Sequence, residues 1–188
     1  GVTVEFWLKK TSWATESAAV EVLFSNITNG TGADTLLWIS TKNTSKGNVT
    51  MELSATPVIA TFEHATGLSD IADDNWHHYA FSFIASGNNI ISKFYVTGTL
   101  NQELVISAGA TLGEVTGSLI ANIGALRVAP SGANGVMQHI NEGDGKLSAS
   151  LDEFRYWKTE RDAQQVGRHY RDQIGGGTNT DNIKYDNI

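Results

Sequence analysis

The sequence contains no cysteine, which excludes disulfides, Cys-ligated zinc, iron–sulfur clusters and thiol nucleophiles together. Proline occurs only twice, and no stretch approaches the roughly 18 to 20 consecutive apolar residues that a membrane-spanning helix needs. No basic segment leading into an apolar run opens the chain, so no secretory signal is read there. Charge is sparse as well: 18% of residues are charged, and 13 basic against 20 acidic residues leave a formal net charge of −7. Phosphate backbones are bound by basic stripes, so nucleic acid is not an expected partner, and neither is membrane insertion. What remains is a polar, Thr/Ser/Asn/Gly-rich chain of 188 residues with 40% hydrophobic content, enough for one sizeable core and one domain. Its first residues, Gly1-Val2-Thr3-Val4, already read as strand, as expected of a domain cut from a longer polypeptide.

Most of the chain has a period of two. Val2, Val4, Phe6 and Leu8 alternate with Thr3, Glu5, Trp7 and Lys9, the pattern of a strand with one face toward a core. Short β-branched or aromatic runs follow at 20–24, 35–39, 49–53, 58–62, 76–84, 91–96, 104–106, 119–123 and 151–157. Asn, Gly, Ser and Thr bound them, as in Ser86-Gly87-Asn88-Asn89. Parallel strands would need crossover helices that the sequence lacks. The expected fold is therefore all-β: an antiparallel sandwich of two sheets, with Phe6, Leu8, Phe81 and Phe83 inside.

One short helix is expected near the end. Thr159 is placed to cap it, with Asp162 completing a Thr-x-x-Asp capping box, and Ala163, Val166, Tyr170 and Ile174 recur at helical spacing as the face toward the sheets. Gly175-Gly176-Gly177 follows a helix C-terminus and reads as its cap; phosphate loops precede a helix N-terminus instead. Residues 1–177 thus form the domain, and 178–188 a polar linker or the start of a following segment.

Three stretches, VTVEFWLKK, NWHHYAFSF and GKLSASLDEFRYWKTERDAQQVGRHY, resemble the recurring landmarks of laminin-G-like, concanavalin A-like lectin domains, and together they span nearly the whole chain. The resemblance implies a jelly-roll sandwich. It also implies recognition or adhesion toward glycans or other proteins, in some members through calcium. The Asn/Thr/Gly-rich texture and the tail GGGTNTDN are similar to laminin-G-like domains embedded in large structural proteins of tailed bacteriophages.

Catalytic templates fit poorly. Endoglucanases of this fold family carry alternating acids, Glu-x-Asp-x-(x)-Glu, on one strand; Glu142-Gly143-Asp144 is the nearest approach and reads as a turn, while Asp152 and Glu153 are adjacent on a strand and so face opposite ways. His77 and His78 are adjacent too and cannot bite one metal ion; one is expected in the core and the other on the outer sheet face. No Gly-x-Ser-x-Gly elbow occurs. No catalytic residue and no obligatory cofactor or metal ligand is assigned. Calcium is the one ion that loop acids such as Asp34, Asp70, Asp73, Asp74, Asp144 and Asp152 would suit, without an EF-hand-like run among them. The run Asp70-x-x-Asp73-Asp74-Asn75 reads more simply as a turn entering a strand. Arg155, Arg161, Arg168 and Arg171 interleave with acids and read as an ion-paired surface helix.

A ligand site is expected on loops at an end or rim of the sandwich, where the polar connections 11–18, 26–34, 41–48 and 131–146 can vary at little cost. Trp13 is the expected apolar contact, since a loop-borne Trp offers an apolar face and an N–H donor, with Asn43 and Asn134 as polar companions. The functional expectation is a non-catalytic recognition or adhesion module of a surface-exposed structural protein, extracellular or on a virion. Its partners would be a glycan or surface protein and the neighbouring domains. The alternatives are a structural spacer or decoration domain of such an assembly and, less favoured, a glycoside hydrolase of the same fold.

Overall fold

The computed structural model describes residues 1–13, 20–28, 36–55, 58–107, 119–125 and 145–172. Ten strands run through them: β1 (Val2–Lys9), β2 (Val20–Thr28), β3 (Leu36–Lys42), β4 (Asn48–Ala55), β5 (Val58–Ala65), β6 (Trp76–Ser86), β7 (Asn89–Val96), β8 (Thr99–Ser107), β9 (Leu119–Ile123) and β10 (Ser150–Trp157). A 3₁₀ turn (Asn43–Ser45) follows β3, and one helix, α1 (Ala163–His169), follows β10. Every expected strand is present. They form two five-stranded antiparallel sheets, ordered β10-β1-β6-β7-β8 (the first sheet) and β5-β4-β3-β2-β9 (the second). The architecture is a jelly-roll sandwich.

The period of two sets the core. Val4, Phe6 and Leu8 of β1 lie beside Tyr79 and Phe81 of β6 and Phe94 of β7, facing Leu37, Ile39, Met51 and Phe62 of the second sheet. Phe6, Leu8 and Phe81 are buried as expected, and Phe83 is partly buried at the edge of the same cluster. The Phe81 and Phe94 rings stack at 4.8 Å. Burying each such side chain contributes roughly 1.5–3 kcal/mol. Polar side chains enter this core as a bonded set: His64 of β5, whose Nε2 lies 2.7 Å from the buried Ser92 Oγ and whose Nδ1 lies 3.3 Å from Gln102 Oε1, ties β5 to β7 and β8 across the sandwich. Burial pushes the His64 pKa down to about 4, against the pull of the Gln102 hydrogen bond.

The alternate positions of β1 depart from a one-sided strand. Thr3 and Glu5, expected to face solvent, are fully buried, because the C-terminal segment folds back over the outer face of the first sheet. Val166 of α1 packs on Ala80 and Tyr95. Trp7 donates its indole N–H to the Tyr170 carbonyl (3.1 Å), and Thr3 Oγ1 donates to the Thr159 carbonyl (2.9 Å) while accepting from the Arg161 N–H (2.8 Å).

The helix differs from its expected form. Its N-cap is Asp162, whose carboxylate accepts from the Gln165 N–H while the Gln165 side chain accepts from the Asp162 N–H, a complete capping box three residues after the expected cap Thr159. The Thr159 carbonyl accepts from Thr3 Oγ1, and its own hydroxyl lies 3.4 Å from the Glu160 carbonyl. Ala163 is exposed, so the sheet-facing stripe reduces to Val166 and Tyr170. Ile174 and the triple glycine lie outside the described residues. Gly98, in the β7–β8 turn at φ +79°, makes room for Tyr170: a Cβ there would sit 2.5 Å from the tyrosine ring.

Candidate functional site

Beneath the C-terminal segment lies a buried charge cluster. The Glu5 carboxylate accepts from Arg161 Nη1 (2.7 Å), Arg155 Nη1 (3.4 Å) and the Trp157 indole N–H (2.7 Å), and His78 Nε2 stands 3.6 Å from its other oxygen. Burial works to raise this carboxyl, but the His78 ring and the Arg161 and Arg155 guanidiniums together hold it below the usual carboxylate range. Arg155 and Arg161 are therefore buried, contrary to the surface reading, because an acid on β1 gathers them; Arg168 and Arg171 remain exposed. His78, the buried member of the histidine pair, lies in this cluster and not in the inter-sheet core. It is wedged against Trp7 and Tyr170 (ring centroids 5.6 Å from each), while His77 pairs with Asp73 at 2.8 Å. The cluster is sealed from solvent, so its chemistry is structural.

A second polar network, open to solvent, lies at one end of the sandwich. There the registers Lys9↔Trp76 and Lys9↔Ser150 in the first sheet, and Val20↔Lys42 and Asn48↔Ala65 in the second, bring the connections after β1, β3 and β5 and the segment before β10 together. Backbone bonds join them: Asp74 N–H to the Lys10 carbonyl, Ile71 N–H to the Lys46 carbonyl, Thr66 N–H to the Gly47 carbonyl. A dry ion pair anchors the end, with Lys10 Nζ 2.6 Å from Glu21 Oε2, both side chains fully buried, and the Ser148 carbonyl and N–H completing it.

Trp13 lies here, half-buried. Its indole N–H donates to Asp70 Oδ1 (2.9 Å), and the Lys10 ammonium sits 4.6 Å from the ring centroid. Asp70 also accepts from the Ala72 N–H (2.8 Å) and pairs with Lys46 (3.5 Å), which ends the turn that begins at Asn43. Trp13 and the Asn43 turn are thus joined through Asp70. Asn134 lies outside the described residues, as do Glu142-Gly143-Asp144; the flanks of that segment are pinned to β2 by Val22 N–H to Gly145 O and Gly124 N–H to Leu23 O. Burial works to raise the Asp70 carboxyl, but the Ala72 and Trp13 N–H groups and Lys46 hold it below the usual range.

The described acids do not gather as a calcium site; Asp34 and Asp144 lie outside the described residues. Asp70 and Asp73 accept local N–H groups in the turn read from the sequence, Asp73 pairs with His77 and Asp74 with Lys9. Among the described residues no three His, Asp or Glu side chains gather to hold an ion. Asp152 and Glu153 sit at a β-bulge of β10, Glu153 at φ +48°, with Glu153 paired to Arg155 (3.1 Å) and Asp152 bonded to the Glu153 N–H, so they do not converge on one bond. One further acid stands out. Glu52, on the outer face of β4 opposite Trp38, is pushed up to about 7 by burial, against the pull of Lys42.

Sequence reasoning missed one tryptophan. Trp76, read only as a strand landmark, is 45% exposed, and among the described residues nothing accepts its indole N–H. Trp7, Trp13 and Trp157 all spend theirs internally, and Trp38 is 2% exposed. The signal was available: Trp76 shares its parity with the outward-facing His78, at the first position of its strand, directly after a polar turn.

Comparison with known proteins agrees with this architecture. In structure the chain is similar to the CBM40 of a Ruminococcus gnavus IT-sialidase, with a TM-score of 0.60 at 16% identity over 89% of this chain and 80% of that one. That module is also known bound to alpha2,3 sialyllactose. The chain is similar as well to part of the leech intramolecular trans-sialidase (TM-score 0.60, 14% identity, 94% of this chain, 24% of that one). A third likeness is to the binding domain of botulinum neurotoxin DC in complex with SialylT (TM-score 0.54, 11% identity, 89% of this chain, 34% of that one). At these identities the likeness is one of fold. No curated protein matches the sequence. The family model of the concanavalin A-like lectin/glucanases superfamily matches residues 1–167, and the chain belongs to that superfamily.

Proposed function

We propose that this chain is a non-catalytic glycan-recognition module of a surface-exposed structural protein on a cell or virion, and that it meets its ligand at the loop end containing Trp13 and Asn43, with Asn134, which lies outside the described residues, as a further polar companion. The observation that carries the reading is the convergence of three polar connections, after β1, β3 and β5, on one end of a rigid sandwich, where aromatic and amide groups sit beside solvated ion pairs. Rigid strands holding such loops supply a preformed site at low ordering cost. Support comes from fold relatives: the CBM40 module binds sialyllactose, and the toxin domain was solved with SialylT.

A glycan array that includes alpha2,3 and alpha2,6 sialyllactose and neutral galactosides tests this. Saturable binding to a defined glycan class is expected. Uniform silence from a folded domain would sink the reading in favour of a spacer. One observation favours that alternative: Ile84, Ile91 and Val105 lie in direct register across β6, β7 and β8 on the outer face of the first sheet, Val105 56% exposed, as a neighbouring domain's docking surface would.

A further inference from the structure

At the loop end of the first sheet, three residues stand in register across β6, β1 and β10: Trp76 opposite Lys9, and Lys9 opposite Ser150. Directly opposed residues share a face with Cβ atoms about 5 Å apart, so the row spans about 10 Å of the outer sheet surface. Trp76 and Ser150 are exposed and Lys9 partly so. Asp74 borders the row, its carboxylate 3.1 Å from the Lys9 ammonium and accepting from Thr11 Oγ1 at 3.3 Å; its N–H bond to the Lys10 carbonyl holds it in place. On the other side stands the Trp7–Tyr170 stack, with ring centroids 6.0 Å apart.

We propose that this ledge is a hexopyranose subsite, in which the Trp76 indole lies against the sugar's apolar ring face while Lys9, Asp74 and Ser150 meet its hydroxyls. The inference rests on the glycan-recognition reading and shifts its aromatic contact from Trp13 to Trp76. Three features of the chemistry point the same way. A sugar ring offers one apolar face and a rim of hydroxyls, so its site needs an aromatic plane with polar groups at the plane's edge, and this row supplies both within the reach of one ring. The polar groups differ in kind: an ammonium donates, a carboxylate accepts, and a hydroxyl does either, which matches vicinal hydroxyls. Lys9 and Asp74 also neutralise each other, so the ledge carries no net charge and suits a neutral pyranose over an anionic one. The free indole N–H completes the set. Trp13 lacks this combination, since its N–H is held by Asp70 and the Lys10 ammonium lies over its ring.

The test is a titration of the ¹⁵N-labelled chain with lactose and with 3′-sialyllactose, following the five indole N–H signals, with Trp76→Phe used to assign the Trp76 signal. The expected result is a saturable shift largest at Trp76, and affinity lowered about tenfold or more in Trp76→Ala, as for a central aromatic anchor. Trp76→Phe, which keeps an aromatic plane and loses the N–H, is expected to fall between. If the sugars bind and Trp76→Ala, folded by its amide spectrum, binds as the wild type does, the ledge is wrong while glycan recognition stands. If neither these sugars nor the array's glycans bind the wild type, both fall. Should Trp76→Ala fail to fold, the wild-type shift map decides alone: shifts centred on Trp13 overturn the proposal. A change from dimer to monomer in Trp76→Ala, with no sugar-dependent shift, would assign the ledge to a protein contact and overturn it equally.

Discussion

Two polar networks hang on the same strand and have opposite characters. At the middle of β1, Glu5 is sealed under the C-terminal segment with Arg155, Arg161 and Trp157; at its end, Lys9 and Thr11 meet Asp74 in the open, at the rim where Trp13 meets Asp70. In the first, desolvated charges have no alternative to one another, so the contacts fasten the last segment of the domain to its first strand. In the second, water competes for every group, and each ion pair is worth at most about 1 kcal/mol. A group that is cheap to unpair is also free to meet a ligand, which is why the proposed recognition site lies at the rim, while the sealed network beneath the helix holds the fold.

The largest effect is expected from removing the sealed carboxylate. Glu5→Gln takes the buried carboxylate from Arg161 and leaves Arg155 with Glu153 alone, and is expected to cost about 3–5 kcal/mol, read as a lowered urea midpoint. A loss below about 1 kcal/mol would show that the cluster is solvated and the contrast with the rim false. Next comes the buried pair at the rim's base. Lys10→Met takes the ammonium from the buried Glu21 carboxylate and is expected to cost about 3 kcal/mol, whereas Lys10→Met with Glu21→Leu is expected to recover most of it, short of about 1 kcal/mol for the Ser148 N–H that loses its acceptor. A double variant no better than the single one would mean the pair contributes net stability.

Trp13→Ala is expected to cost about 1 kcal/mol, for one hydrogen bond and a half-buried ring, and to keep a cooperative unfolding transition. Trp76→Ala, at an exposed position, is expected to stay within about 0.5 kcal/mol of the wild type. Thermal melts of the two variants side by side check both figures. A larger loss in Trp76→Ala would mark it as a packing residue.

The strands were legible because their period of two and their Asn/Gly/Ser turns are local signals, and the antiparallel sandwich followed from the missing crossover helices. The burial of Thr3 and Glu5 was not legible, since it depends on Thr159 and Arg161 folding back from more than 150 residues along the chain. The same long-range contact misled the surface reading of Arg155 and Arg161, whose local neighbours are charged and which both reach Glu5 on β1. The helix cap moved from Thr159 to Asp162 because either residue caps well locally, and the capping box with Gln165 starts the helix at Ala163. At the site, loop position pointed to Trp13. Exposure depended instead on strand parity and on which indole N–H already had an acceptor.

The pH dependence of stability extends the comparison to single groups. His64 in the core and Glu52 on an outer face are both shifted by burial, in opposite directions, to about 4 and about 7. For His64 the folded pKa lies below the unfolded value of 6.5, so the unfolded chain takes up the proton first and stability is lost as pH falls from about 6.5 toward 4. For Glu52 the folded pKa lies above the unfolded value of 4.5, so the unfolded chain ionises first and stability is lost as pH rises from about 4.5 toward 7. Between about 4.5 and 6.5 the two slopes oppose, and the wild type is expected to show little pH dependence from this pair. Glu52→Gln removes one slope and exposes the other: urea midpoints of that variant are expected to climb with pH across this window while the wild-type curve stays flatter. Parallel curves would show that Glu52 titrates normally, as a solvated rim carboxylate would, and that the outer face of the second sheet is wetter than the burial of Glu52 implies.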